Sequence, residues 1–227
     1  MKALQYLLII TAIAFAGCEK DNYDGPTAGL AGRFVDAETG ELVQQDIIRG
    51  TQIELLEHGY DPVTPQYLVV KVDGTYENSL LFENTYTIQP KRGNFIDLAP
   101  QDMLIRGKST LDFTVTPYIR VLEPSIVKNG NKVVATFKLQ QNVVNNVKKI
   151  GLYGHRDLQV GEPMRLAATE QTLNAVTNPA TVYTLEIDLP ANSSTLKPGA
   201  DYYFRIGALI DVGEAKLNYA AAVKIGI

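Results

Sequence analysis

Tryptophan is absent from this chain of 227 residues, cysteine occurs once and histidine twice. A single cysteine excludes a disulfide framework within the chain, so stability has to come from core packing. The two histidines, His58 and His155, stand in no HExxH pattern, and no GxSxG, GxGxxG or phosphate-loop spacing occurs. Asn129-Gly130-Asn131-Lys132 has the glycine and lysine of a phosphate loop without its spacing and reads as a hairpin turn. Positive charge is also scarce: 21 basic residues face 25 acidic ones, for a net charge of −4, and without a basic tract there is no electrostatic footprint for nucleic acid. Past residue 17 no stretch reaches the roughly 20 apolar residues of a membrane-crossing helix.

What is present begins with "MKALQYLLIITAIAFAG", one lysine followed by a short apolar core that closes on small residues. That order describes a secretory signal peptide over residues 1–17. Cys18 follows directly. "EKDNYDGPT" then runs acidic and turn-rich with no apolar periodicity, so residues 18–27 read as a flexible tether. From Cys18 to Leu30 such a tether reaches about 35 to 40 Å when extended. Asp21, Asn22 and Asp24 offer oxygen ligands for calcium but lack EF-hand spacing and its distal glutamate, and we read them as solvated.

Phe15-Ala16-Gly17-Cys18 resembles the lipobox of bacterial lipoproteins, although leucine is commoner where Phe15 stands. The resemblance implies that Cys18 becomes an acylated N-terminus, a lipid attachment point whose chains each contribute about 0.8 kcal/mol per buried CH₂. The acidic start of the tether looks like the export signal that sends lipoproteins of the Bacteroides type to the outer face of the outer membrane.

From residue 28 on, nearly every periodic segment alternates with period two, and turn signals recur at short intervals. This predicts an all-β chain of two consecutive β-sandwich domains, 28–115 and 116–227. In the first, "AGRFVDAETGELV" predicts strand, turn at Thr39-Gly40 and return, and Asp73-Gly74 predicts a hairpin turn. Gly32 to Asp36, Thr39-Gly40, Asp73-Gly74-Thr75-Tyr76 and Tyr86-Thr87-Ile88 resemble the carboxypeptidase-regulatory or transthyretin-like module, with Glu83-Asn84 where that module usually turns on a glycine. In the second, "KVVATFKLQ" sets Val133, Ala135, Phe137 and Leu139 on one dry face, and "VYTLEIDLP" does the same with Tyr183, Leu185, Ile187 and Leu189. Pro117 and Pro124 are expected to bracket the strand that opens this domain. Residues 160–180 break the alternation, predicting a short helix or a long loop of functional interest.

"LKPGADYYFRIGAL" resembles the region of the penultimate strand of fibronectin type III domains. It implies that Tyr202 is a structural residue, the tyrosine corner of an immunoglobulin-like sandwich; the core tryptophan common in such strands is missing. Taken whole, the chain resembles a family of two-domain outer-membrane lipoproteins of unknown function from Bacteroides-type bacteria, encoded beside starch-utilisation (Sus)-type glycan uptake systems. That resemblance implies a surface role near polysaccharide import and supplies no catalytic residue.

We expect no enzyme, no cofactor and no metal, although carboxylates assembled from distant positions, as in glycosidases, are a catalytic alternative that spacing does not address. The expected function is glycan binding, with docking to a partner outer-membrane protein as the alternative. Sugars are held by aromatic rings against their CH faces and by planar polar side chains. Tyr60 and Tyr67, which flank "DPVTPQ", and Tyr153 with the neighbouring His155 and Arg156 are the candidate ligand-binding residues.

Overall fold

The computed structural model describes residues 24–227. The apolar leader, Cys18 and the acidic start of the tether, with their expected roles, lie outside the described residues. Among the described residues there is no helix, and the chain forms two β-sandwiches.

The first is built from β1 (Ala28–Asp36), β2 (Gln52–Glu57), β3 (Gln66–Val69), β4 (Thr75–Leu81), β5 (Asn84–Lys91), β6 (Gln101–Ile105), β7 (Lys108–Thr110) and β8 (Phe113–Val115). One sheet has the order β4-β1-β7, with β8 continuing alongside β1; the other has the order β3-β2-β5-β6. Period-two alternation points Ile53 and Leu55 of β2 and Tyr86 and Ile88 of β5 into the core, all fully buried. Across from them Phe34 stacks 5.1 Å from Phe95 and 5.0 Å from Phe113. Each such ring contributes roughly 1.5–3 kcal/mol by leaving water.

The Asp73-Gly74 turn differs from the sequence expectation. Gly74 takes φ 84, but the strands it joins, β3 and β4, belong to different sheets, so it is a corner between sheets rather than a hairpin within one. A glycine is required there twice over, because a Cβ would also stand 2.5 Å from the Val43 carbonyl oxygen.

The second sandwich comprises β9 (Ile119–Asn129), β10 (Lys132–Gln141), β11 (Val147–His155), β12 (Ala167–Ala175), β13 (Tyr183–Asp188), β14 (Asp201–Ile210), β15 (Asn218–Tyr219) and β16 (Val223–Gly226). Its sheets run β13-β10-β9 and β12-β11-β14-β15, with β16 also on β14. Val133, Ala135, Phe137 and Leu139 face Ile150, Leu152, Phe204 and Ile206 across the core.

Two expectations are corrected here. Of residues 160–180, expected as a short helix or a long loop, Ala167–Ala175 form strand β12 and only the flanks are loop. Pro124 does not end the opening strand but lies inside β9, an edge strand, at a register shift opposite Phe137 where Glu123 takes φ 49. A residue with no N–H is tolerated at an edge bulge because no ladder hydrogen bond is asked of it.

The two sandwiches meet through a buried polar interface. Arg205 of β14 is 1% exposed. It donates to the carbonyls of Gln45 at 2.8 Å and Val72 at 3.1 Å in the first sandwich, and to those of Ala220 and Val160 in the second. Asn94 donates to the carbonyls of Gln44 and Leu217, and Asn218 returns a hydrogen bond to the Asn94 carbonyl at 2.7 Å. Arg120 of β9 grips Asp36 of β1 with two donors, at 2.5 and 2.7 Å. Among the described residues no buried side-chain nitrogen or oxygen lacks a partner, as buried polar groups require.

Candidate functional site

This interface sets a loop of the second sandwich over the wet face of the first. Lys216 donates its backbone N–H to the Gly93 carbonyl at 3.2 Å, and Glu214 comes within 3.3 Å of Arg92. Arg92 sits in the left-handed region with φ 54, turning the chain as it leaves β5. Below the loop lie the outward side chains of the β3-β2-β5 sheet. Register places Glu54 between Tyr67 and Gln89, and Gln52 between Val69 and Lys91.

Together these residues enclose an open hollow of about 640 Å³, lined by Gln52, Glu54, Tyr67, Gln89, Lys91 and Arg92, with Asp97 and Glu214 at its margin. Tyr67 is 52% exposed. Its hydroxyl donates to Glu54 Oε2 at 2.9 Å, which fixes the ring's tilt. Lys91 Nζ holds the other oxygen of the same carboxylate at 3.3 Å. The hydrogen bond to Glu54 raises the phenol's pKa, so it stays protonated as a donor. The Arg92–Glu214 pair is well exposed and contributes little to stability. Its consequence is geometric, since it carries a wall from one sandwich to the other.

Chemically, the hollow offers one aromatic face and a set of planar amide, carboxylate and guanidinium groups. Such groups take vicinal hydroxyls in pairs, with charge-assisted strength where they are ionised. It offers no nucleophile beside a base. Among the described residues no group of three or more His, Cys, Asp or Glu side chains could hold a metal ion.

A second hollow, of about 200 Å³, adjoins Asp36, Arg120 and Asn218. Its Asp36, Arg120 and Asn218 side chains are already spent on the inter-sandwich network.

The candidate residues from the sequence do not come together. Tyr67 lines the polar hollow. Tyr60 is 61% exposed but lines a separate hollow with Pro62 and Val63. Tyr153 is corrected: it is fully buried in a small core with Val160, Leu217 and Tyr219, and its hydroxyl donates to Glu170 at 2.7 Å. Burial and that carboxylate push its phenol far up, and it has no ring face to present to a sugar. The reason is tertiary: Tyr153 points away from the inter-sheet core that holds Ile150 and Leu152, and Val160, Leu217 and Tyr219 cover its ring on that outer face. His155 accepts the Asp157 backbone N–H through Nδ1 at 3.0 Å. Arg156 lies over the Tyr202 ring at 5.4 Å and reaches its hydroxyl. That hydroxyl accepts the Lys197 backbone N–H at 2.7 Å and donates to the Thr195 carbonyl. Both residues are thus engaged at the Tyr202 end of the second sandwich.

Sequence reading passed over Gln52, Glu54, Gln89, Lys91, Arg92 and Glu214, because polar residues on the wet side of a strand are ordinary and Glu214 joins them only through the inter-sandwich contact. The usable signal was Glu54: pairing β2 with β3 sets a carboxylate beside an exposed tyrosine.

Residues 28–116 match the family described as protein of unknown function (DUF3823) N-terminal domain, and residues 119–224 match the domain of unknown function DUF3823_C. A solved structure from Bacteroides uniformis, described as a candidate carbohydrate-binding protein, shares 37% identity over 89% of this chain and 100% of its own, with a TM-score of 0.81. The chain belongs to the DUF3823 family. A DUF3823 family protein from Bacteroides ovatus is 26% identical over 88% of this chain and 98% of its own, with a TM-score of 0.73. A DUF3823 family protein from Parabacteroides merdae, at 20% identity over 89% of this chain and 100% of its own, shares the fold with a TM-score of 0.76. None of these three DUF3823-like structures is described as an enzyme. No curated protein matches the chain.

Proposed function

We propose that this DUF3823 chain is a non-catalytic carbohydrate-binding lipoprotein, anchored through Cys18 at the outer face of the outer membrane and accessory to polysaccharide uptake, with the hollow beneath Tyr67 as its sugar site. The observation that carries the reading is the Tyr67 ring: half exposed, fixed by Glu54 and surrounded by planar polar side chains. Three further observations support it. The Bacteroides uniformis relative is described as a candidate carbohydrate binder, the lipobox-like motif precedes the tether, and Glu214 completes the hollow from the second sandwich, which gives a two-domain arrangement a purpose. With no tryptophan, the site relies on one tyrosine face, so weak binding multiplied along a polymer is the expected mode.

The test is retention of the soluble form, residues 22–227, in native gels cast with plant, host and microbial polysaccharides. Retardation by one polymer supports the sugar site. No retardation across the panel moves the reading to docking on a partner outer-membrane protein, which capture from outer membranes would then address. The anchor is tested separately: Cys18→Ala should abolish acylation by labelled palmitate, and unchanged labelling would refute it.

A further inference from the structure

We infer that the end of the first sandwich where the chain enters the fold is a lipid-contacting surface, one that seats the protein on a bilayer with the Tyr67 hollow held away from it. β1 begins at Ala28, which pairs with Leu81 at the end of β4. The turn from β4 to β5, the loop from β2 to β3 and the turn from β6 to β7 all lie at this same end, because Glu57 pairs with Tyr86 and Ile105 with Asn84.

Large apolar side chains stand in water here: Leu80 at 70% exposure, Phe82 at 50%, Tyr60 at 61% and Leu104 at 61%. The β4–β5 turn is held in place, since Tyr86 donates its hydroxyl to the Phe82 carbonyl at 3.1 Å. Exposed apolar groups gathered at one end mark an interaction surface. Aromatic and leucine side chains mixed with long cations are what the membrane interface accepts, the rings at headgroup depth and the cations reaching for phosphate.

Arg106 and Lys108 supply those cations, both exposed. The acids at this end are Asp24, Glu57, Asp61 and Glu83, of which Glu57 is buried and accepts from the Asn84 amide at 3.1 Å. Glu83 is already paired with Arg106 at 3.4 Å and receives the Gly107 N–H at 3.3 Å. A lipid surface is favoured over a protein because of where the chain enters. Cys18 precedes Ala28 by about ten residues, at most about 35 Å of chain, so, resting on the proposed anchoring through Cys18, this end stays within that distance of the bilayer and is the part placed to meet it first. Asp36, at the far end of β1, meets the second sandwich through Arg120. The nine residues of β1 separate the two ends by about 25 to 30 Å, and the Arg92–Glu214 wall lies at the distal end.

The absence of tryptophan and the single thiol allow a direct test. The chain from Cys18 onward is coupled through that thiol to maleimide lipid in phosphatidylcholine vesicles, so the result does not depend on whether cells acylate Cys18. Phe82→Trp and Leu80→Trp serve as reporters at the seated end, and Val144→Trp, at a position 91% exposed in the second sandwich, as the distant control. The expected result is blue-shifted emission quenched by brominated acyl chains for both end reporters, with Val144→Trp unshifted and unquenched. Unshifted, unquenched emission from Phe82→Trp and Leu80→Trp would overturn the inference and leave the end open to a protein partner. Equal quenching of all three would also overturn it, since the protein would then have no preferred seat. A reporter that fails to fold is replaced by the other, each being surface-exposed.

Discussion

The guanidinium of Arg205 lies 4.3 Å from the centroid of the Tyr219 ring, and the Tyr219 hydroxyl in turn donates to Asp46 of the first sandwich at 3.1 Å. One face of the cation is closed by an aromatic ring while its edges donate to carbonyls of both sandwiches. Burial pulls this guanidinium down to about 10, which leaves it charged at neutral pH. A cation so placed is costly to bury and costlier to remove, because its partners would be stranded.

Arg205→Met, which keeps the bulk and deletes the donors, should therefore destabilise the protein by about 3–5 kcal/mol, since it strands several buried carbonyls at about 1–3 kcal/mol each. Urea unfolding followed by circular dichroism reads this directly. A midpoint equal to that of the parent chain would contradict the role given to Arg205.

The Asp36–Arg120 pair gives a pH dependence of known sign. Burial opposes ionisation of Asp36, but hydrogen bonds from Arg120 and the Glu38 backbone outweigh it and hold the carboxyl below its ordinary 3.8. The unfolded chain therefore binds this proton before the native one does. The stabilisation is fully present above pH 3.8 and is lost as pH falls through the native value. Asp36→Asn should lower the unfolding midpoint at neutral pH, with the gap from the parent narrowing in acid. A gap that stays constant down to about pH 3 would contradict this.

Tyr202→Phe removes a hydroxyl that accepts from Lys197 N–H at 2.7 Å. Lys197 is exposed, so water can replace the lost partner, and the cost should stay near 0.5–1.5 kcal/mol. Thermal unfolding of the two proteins side by side measures it, and coincident midpoints would show that the hydroxyl contributes nothing.

How much of this was legible in the sequence depends on how local each feature is. The strands of the second sandwich follow from Val133, Ala135, Phe137 and Leu139, because period-two burial is written directly in the residue order. The Asp73-Gly74 turn was visible as a turn, but which sheets it joins is decided by the pairing of β4 with β1, a contact with no local signature. Pro124 was misread for the same reason, since whether a proline ends a strand or sits in an edge bulge depends on neighbours far away in sequence. Arg205 was the clearest missed cue, a lone charge inside "YYFRIGAL", where an apolar strand should not tolerate one without dedicated partners. Tyr67 and Tyr153 look alike as tyrosines in strands, and only the assembled molecule shows that Val160, Leu217 and Tyr219 cover Tyr153 while Tyr67 stays open.

Sugar binding by the ring of Tyr67 is tested by comparing the parent chain with Tyr67→Ala in a native gel containing the polysaccharide that retards the parent. Tyr67 is half exposed, so the variant should fold, and covering its ring with a sugar contributes about 1 kcal/mol or more by removing apolar area from water, enough to reduce retention several-fold. Loss of retardation with an unchanged unfolding midpoint is the expected result. Equal retardation of both proteins would contradict it and remove the hollow as the sugar site.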